Sequence, residues 1–182
     1  MKNSIKISLI LVLLVILMLA GCKNQARTDS EGGVVDMSIQ VTSIFNDGAK
    51  ITQVYTCDGG NVSPPLSWTG VPSNTASLAL IMDDPDALDG TWVHWVLYNL
   101  PPDLTGIEQG KSGGGTKGIN DFKDLGYGGP CPPKGTTHRY YIKVYALDSM
   151  LDLKSGATKD QVESLMSGHI LAQGQLVGKF GR

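Results

Sequence analysis

Residues 77–101 read SLALIMDDPDALDGTWVHWVLYNLP, and this stretch decides the fold. The apolar run at residues 78–82 is short and ends abruptly, which predicts a buried β-strand. Three acids follow this run, and they are Asp83, Asp84 and Asp86. An Asp-Gly turn at residues 89–90 then leads into a second strand pattern over residues 91–100. We therefore expect two neighbouring strands, with carboxylates at the end of the first.

The second strand contains a histidine between two tryptophans. Side chains alternate along an extended chain, so Trp92, His94 and Val96 are expected on one face. Acids after a strand are more often turn formers, and a lone histidine in a strand is more often a satisfied core residue. This stretch by itself leaves a structural role open beside a functional one.

A second segment, residues 126–148, favours the functional interpretation. It reads GYGGPCPPKGTTHRYYIKVYALD, so a Gly/Pro loop runs into a strand that begins near His138. His138 and Tyr140 lie on the same face of this strand as its apolar residues. Prolines restrict the loop to few shapes, and glycine lets a ligand approach the main chain. Donors from His94, His138 and Tyr140, with loop amides, are therefore expected to converge on one small anionic group.

Four motifs follow one another along the chain: Asp84-Pro85-Asp86, Trp92-Val93-His94, Gly129-Pro130-Cys131-Pro132-Pro133 and His138-Arg139-Tyr140. In order and spacing they resemble the pocket motifs of the phosphatidylethanolamine-binding protein family, also called Raf kinase inhibitor-like proteins. The resemblance spans residues 36–182 and is closest to the bacterial and archaeal branch. It implies a mainly β fold, in which a large antiparallel Greek-key sheet packs against a smaller sheet, with few short helices.

The resemblance also implies a pocket for a phosphate or carboxylate group, including the head group of a phospholipid. Asp84 is expected to orient His94, while His94 and His138 donate hydrogen bonds to the anion. Tyr140 is expected to add a hydroxyl and an aromatic wall, and Asp86 to be a structural turn acid. The rim of the pocket is expected to be formed by Gly129, Cys131 and Pro133.

Two cysteines, Cys57 and Cys131, lie in loops that the resemblance places near the pocket. An extracytoplasmic location permits a disulfide between them, but two free thiols are the open alternative. His94, His138, Asp84 and Cys131 are ligand types that zinc accepts, yet no short ligand spacing is present, so no metal is expected. A Cys131 thiolate with His94 as base is the enzymatic arrangement to test, although we expect binding rather than turnover.

The amino-terminal end predicts a lipoprotein. Residues 1–21 combine a basic start with an apolar run that is too short to span a bilayer comfortably, as in a cleaved signal sequence. Leu19-Ala20-Gly21-Cys22 resembles the lipoprotein signal box, in which Cys22 becomes the acylated first residue. Residues 22–35 are expected to be a flexible tether, and residues 36–182 one domain on the extracytoplasmic side of the cell membrane.

The charge balance excludes one class of partner. Cleavage after residue 21 would remove two of the 15 Lys and Arg residues, leaving 13 against 17 acidic residues and a net charge of −4. No basic run remains, and a nucleic-acid surface needs clustered Lys or Arg. Nucleic acid is therefore not expected as a partner.

Two other patterns predict local structure. The apolar alternation over residues 37–57 predicts a strand, a turn at Asn-Asp-Gly and a second strand. Thr158 and Gln161 have the spacing of a capping box, and helical periodicity predicts a helix over residues 158–169. His169 is expected at the end of this helix rather than in the pocket.

Together these patterns predict a binding protein without a cofactor. The expected function is non-enzymatic binding of a small phosphate or carboxylate group, or a phospholipid head group, by a membrane-anchored domain. Because members of the family that these motifs resemble also inhibit kinases or proteases, the alternative that the resemblance implies is inhibition of an envelope protease, or another partner protein, through the same surface.

Overall fold

The computed structural model describes residues 39–182, which form two antiparallel β-sheets and one α-helix. The strands are β1 (Gln40–Ser43), β2 (Leu66–Thr69), β3 (Ser77–Asp84), β4 (Trp92–Leu100), β5 (Gly106–Ile107), β6 (Thr116–Lys117), β7 (Thr137–Leu147) and β8 (Ile170–Gly181). Helix α1 (Lys159–Met166) lies between β7 and β8, and Gln53–Tyr55 form a single 3-10 turn. The expected mainly β fold, with a large and a small sheet, is confirmed.

Strand β3 is the centre of the large sheet. The order of this sheet is β6-β4-β3-β7-β8, and the small sheet has the order β1-β2-β5. Each residue of β3 is buried, because both of its edges are hydrogen-bonded and both of its faces are covered. This burial explains the continuous apolar run that the sequence shows there.

The main core lies between the two sheets. Val41, Leu66 and Trp68 of the small sheet pack against apolar side chains of the large sheet. The expected inward face of β7 is confirmed, and its buried residues are Tyr140, Ile142, Val144 and Ala146. Burial of apolar side chains on both sheets supplies most of the driving force for this layered arrangement.

Helix α1 covers the other face of the large sheet. Thr158 and Gln161 form the expected capping box, with each side chain accepting a hydrogen bond from the main chain of the other residue. Val162 and Met166 are buried in a second core, whereas the helix ends at Met166, earlier than predicted. Gly168 follows with a φ of 83°, a conformation that ends a helix.

The second strand predicted within residues 37–57 is absent, although its turn is present. After the turn, Lys50 makes only a single bridge to Lys179, and Ile51 donates one main-chain hydrogen bond to the Lys179 carbonyl. Ile51 is buried against β8 instead of pairing with β1. The alternation in the sequence therefore reports burial against a neighbouring sheet and not a new strand.

A β-bulge in β4 changes which side chains share a face. Met82 pairs with Trp95 and Asp83 pairs with Val93, so His94 is the extra residue. His94 and Trp95 consequently lie on the same side of the sheet, and Val96 packs into the second core. The prediction that Val96 shares a face with His94 is wrong, because the bulge breaks the two-residue period.

Candidate functional site

The three acids at the end of β3 have three different partners. Asp83 points to the helix side, where its carboxylate accepts hydrogen bonds from Lys143 and Lys159. Asp86, in the following turn, pairs with the guanidinium of Arg139, and this pairing lowers its pKa to about 2. The expected structural role of Asp86 agrees with this contact. Only Asp84 faces the pocket.

Asp84 is bonded to one of the two pocket histidines. Its Oδ2 atom lies 2.7 Å from Nδ1 of His138, and its Oδ1 accepts the main-chain N–H of Asp86 at 2.9 Å. Asp84 and His138 are both buried. The structure therefore places Asp84 as the acceptor that orients His138, not His94 as the sequence analysis expected.

His94 is held instead by the loop that precedes β7. Its Nδ1 lies 2.7 Å from the carbonyl oxygen of Gly128, and the Gly128 N–H donates back to the His94 carbonyl at 2.8 Å. The imidazole ring stands between Phe122 and Tyr140, with edge-to-face contacts and ring centroids 5.4 Å and 5.2 Å away. Burial lowers the pKa of His94 below 6.5, although Gly128 and nearby carboxylates oppose this shift.

Glycine is required at position 128. A Cβ atom there would overlap the ring of Phe122, which is itself in contact with His94 and Trp92. This glycine therefore lets the aromatic ring and the carbonyl acceptor approach His94 from two sides. Nothing in the local pattern separates Gly128 from its glycine neighbours, so the sequence analysis did not select it.

Residues 127–131 of the Gly/Pro loop are joined to residues 55–61 by four links. A disulfide joins Cys57 to Cys131, with a Cα–Cα distance of 5.4 Å. The remaining links are hydrogen bonds: Cys57 N–H to the Pro130 carbonyl, Gly129 N–H to the Asn61 side chain, and the Tyr127 hydroxyl to the Tyr55 carbonyl. These contacts hold the rim of the pocket in one shape.

A cavity of about 220 Å³ lies at the junction of these elements. Five of the predicted site residues line it, and they are Asp84, His94, Cys131, Pro133 and His138. Five further residues complete the lining, and they are Ala87, Leu88, Trp92, Phe122 and Pro132. Of these, Trp92 was expected near His94. Phe122 lies in a long loop, and the length and composition of that loop are the only sequence signals for a functional role there.

Two predicted site residues do not line the cavity. Gly129 lies behind the rim, where its N–H donates to Asn61 and is not directed at a ligand. Tyr140 lies behind His94; burial, and then the charge of Asp84, raise the pKa of Tyr140. Its buried hydroxyl makes no hydrogen bond of standard geometry within residues 39–182. Tyr140 therefore supports the histidine ring rather than forming the wall of the cavity.

The cavity wall is poor in permanent charge. No Lys or Arg is among the residues lining it in the described part of the chain, and Asp84 is the ionisable acid there. Within residues 39–182, no group of three or more His, Cys, Asp or Glu side chains is placed to hold a metal ion. Cys131 is in the disulfide, so it has no free thiol for the alternative in which it acts as a nucleophile.

The third histidine lies outside this site. His169 follows α1, and its Nδ1 is 2.7 Å from a carboxylate oxygen of Asp148 on the protein surface. The predicted signal peptide, the predicted lipidation at Cys22 and the predicted tether all lie outside the described residues. In residues 39–182, no helix is long and apolar enough to cross a membrane.

The fold and the site together define a class of protein. It is a two-sheet antiparallel β protein in which an aspartate and two histidines line a cavity at the end of the central strand.

Comparison with known proteins identifies the family within this class. The profile of the family described as phosphatidylethanolamine-binding protein matches residues 41–181. A UPF0098 protein from Methanothermobacter thermautotrophicus is 51% identical over 147 residues, covering 78% of this chain and 97% of that protein. Another UPF0098 protein, from Aquifex aeolicus, is 46% identical over 153 residues, covering 76% of this chain and 85% of that protein. The chain therefore belongs to the phosphatidylethanolamine-binding protein family.

Solved structures agree with this assignment. A phosphatidylethanolamine-binding protein homologue from Chlamydia trachomatis superposes with a TM-score of 0.76 at 40% identity, covering 80% of this chain and 98% of that chain. E. coli YbcL, described as a member of the mammalian family, gives a TM-score of 0.74 at 32% identity, covering 80% and 99%.

Proposed function

We propose that this protein binds a small anionic oxygen-rich group, such as a phosphate, in the cavity between His94 and His138. The observation that supports the proposal is that both imidazoles line one cavity, each with its Nδ1 already bonded inside the protein. The Nε2 atoms have no hydrogen-bond partner among residues 39–182, and both of them keep some accessible surface. Two nitrogens are thereby available to one ligand.

The proposed role is binding and not turnover, on a domain held at the membrane by an acyl-modified Cys22. A rigid rim supports it, because the disulfide and its neighbouring hydrogen bonds reduce the entropy lost on binding.

Phosphate is expected to perturb two of the three histidines. In ¹H–¹⁵N spectra of the imidazole rings, titration with inorganic phosphate should shift the signals of His94 and His138, while His169 remains unchanged. Replacing His94 with Ala should weaken binding by roughly 10- to 100-fold, the factor for one hydrogen bond to a charged group.

The matched control is His169→Ala, which removes an imidazole from the surface and leaves the cavity intact. If phosphate shifts none of the three rings, or if His169→Ala weakens binding as much as His94→Ala does, the proposed site is wrong.

The mouth of the cavity favours a ligand with an apolar substituent. Leu88, Trp92 and Phe122 line the cavity and are 86%, 37% and 41% exposed. Large apolar side chains grouped at a cavity mouth are typical of a ligand-binding surface. We therefore infer that the anionic group enters with an apolar substituent resting on these three side chains.

Lengthening the ligand tests this inference. Hexyl phosphate should bind roughly tenfold tighter than methyl phosphate, because each buried methylene contributes about 0.8 kcal/mol and only part of the chain is covered. Leu88→Ser should reduce this gain about fivefold. Met150, also an exposed apolar residue at 60%, is not in the cavity wall, so Met150→Ser is the matched control. An equal effect of both substitutions, or equal affinity of both ligands, would exclude the apolar contact.

A further inference from the structure

The hydrogen bond between His94 and Gly128 determines which ring nitrogen of His94 carries a proton. A carbonyl oxygen can only accept, so at 2.7 Å the Nδ1 atom must donate its hydrogen to it. A neutral imidazole has a single N–H group, so Nε2 of neutral His94 presents a lone pair. His94 therefore accepts a hydrogen bond in the cavity and cannot donate one until the ring is protonated.

The surroundings of His94 favour the neutral ring. Phe122 and Tyr140 pack against both sides of the imidazole, and burial lowers the pKa of His94. The titratable groups on its side of the sheet are Asp84 of β3, Asp121 of the loop after β6, and His138 and Tyr140 of β7, while Asp83 acts on it from the opposite side of the sheet. The carboxylates oppose the shift, but the net direction is downward.

An anion without a proton would meet three unfavourable groups when both rings are neutral. They are the carboxylate of Asp84, the Nε2 lone pair of His94, and the Nε2 lone pair of His138, whose Nδ1 donates to that carboxylate at 2.7 Å. No Lys or Arg lines the cavity to offset them within residues 39–182. A ligand oxygen that still carries a hydrogen would instead donate it to Nε2 of His94, and the lone pair would then accept a hydrogen bond.

We propose that the cavity selects a monosubstituted phosphate, whose acidic P–OH donates to Nε2 of His94, over phosphodiesters and sulfate, which have no such hydrogen. This inference rests on the proposed function, and it specifies the chemical class of the ligand. The second ionisation of a phosphomonoester lies near pH 6, so the proton-bearing form is accessible at neutral pH. A soluble phosphomonoester and a membrane lipid with a terminal phosphate share this chemistry.

Calorimetry with a matched pair of ligands tests the selection. With the full chain in detergent at pH 7.0, methyl phosphate should bind roughly three- to tenfold tighter than dimethyl phosphate or sulfate, because the hydrogen bond gives a factor of about 10 to 100 and only about a tenth of the free ligand carries the proton. Repeating the titration in two buffers of different ionisation enthalpy should reveal uptake of about one proton with methyl phosphate, since most of the free ligand has lost it. Between pH 7 and 8 its affinity should fall by up to about tenfold.

A variant tests the role of the lone pair. In His94→Gln the side-chain amide can direct an N–H group at the cavity without being protonated. Dimethyl phosphate should then bind about as tightly as methyl phosphate, and the affinity for methyl phosphate should no longer depend on pH. If thermal unfolding shows that the variant does not fold, the two-buffer measurement on the natural protein decides the question.

Vesicles identify the source of the phosphate. Binding to vesicles that contain phosphatidic acid, in competition with methyl phosphate, indicates a lipid, and binding of methyl phosphate alone indicates a soluble ligand. Equal binding to phosphatidylglycerol vesicles, or equal affinity for methyl and dimethyl phosphate at pH 7.0, would overturn the selection while leaving the anion site in place. No binding of any of these anions would instead refute the proposed function itself.

Discussion

We expect reduction of the Cys57–Cys131 disulfide to lower the free energy of unfolding by about 4 kcal/mol. The bond closes a loop of 74 residues, and breaking it returns that conformational freedom to the unfolded chain. The folded state also loses the covalent link between the proline rim and residues 55–61. Denaturant unfolding with and without reductant measures the change, and phosphate affinity should weaken in parallel because Cys131 lines the cavity.

The double variant Cys57→Ala/Cys131→Ala is the control for this result. It should unfold with the same free energy in both conditions, and close to that of the reduced natural protein, because it has no disulfide to break. A natural protein whose stability does not respond to reductant would show that the hydrogen bonds around Pro130 and Asn61 hold the rim without the covalent link.

We expect a second large effect at alkaline pH, where the free energy of unfolding should fall by about 4 kcal/mol between pH 8 and pH 11. Burial is the main cause that raises the pKa values of Tyr127, Tyr140 and Tyr145 above 10. A raised pKa means that the folded state holds its protons while the unfolded state releases them above pH 10. Each such phenol then contributes stability that is complete below pH 10 and is lost by about 1.4 kcal/mol per pH unit above it.

Tyr145→Phe separates this linkage from other alkaline effects. The Tyr145 hydroxyl makes no hydrogen bond among the described residues, so Phe should fill the same space at little cost to stability at pH 8. The loss of stability above pH 10 should be smaller by about 1.4 kcal/mol per pH unit. Equilibrium unfolding at several pH values measures the slope, and a stability that stays constant to pH 11 would contradict the prediction.

Much of the fold could be predicted because its patterns are local. The apolar run before Asp83 and the alternation after His138 each report the period of a strand, and both strands form. The capping box at Thr158 likewise depends on residues three positions apart. The predicted second strand before Cys57 failed, since apolar alternation reports burial and does not say whether a strand neighbour is available.

The residues of the site could be predicted, but the hydrogen bonds between them could not. Asp84, His94 and His138 do meet at one cavity, as the motif order and the family resemblance implied. The partner of Asp84 was assigned to the wrong histidine, because a hydrogen bond between strands depends on register and on the bulge at His94. Phe122 was not selected, since only the path of a long loop brings it there.

The amino-acid sequence by itself determined the strand periods, the capped helix, the family and the set of residues that could form a pocket. Only the tertiary structure decided that β4 bulges, that Asp84 bonds His138, and that the Gly128 carbonyl accepts a hydrogen bond from Nδ1 of His94. The physical reason is range: periodicity and capping act over a few neighbouring residues. A ring's tautomer, in contrast, depends on atoms that folding brings together from distant positions in the chain.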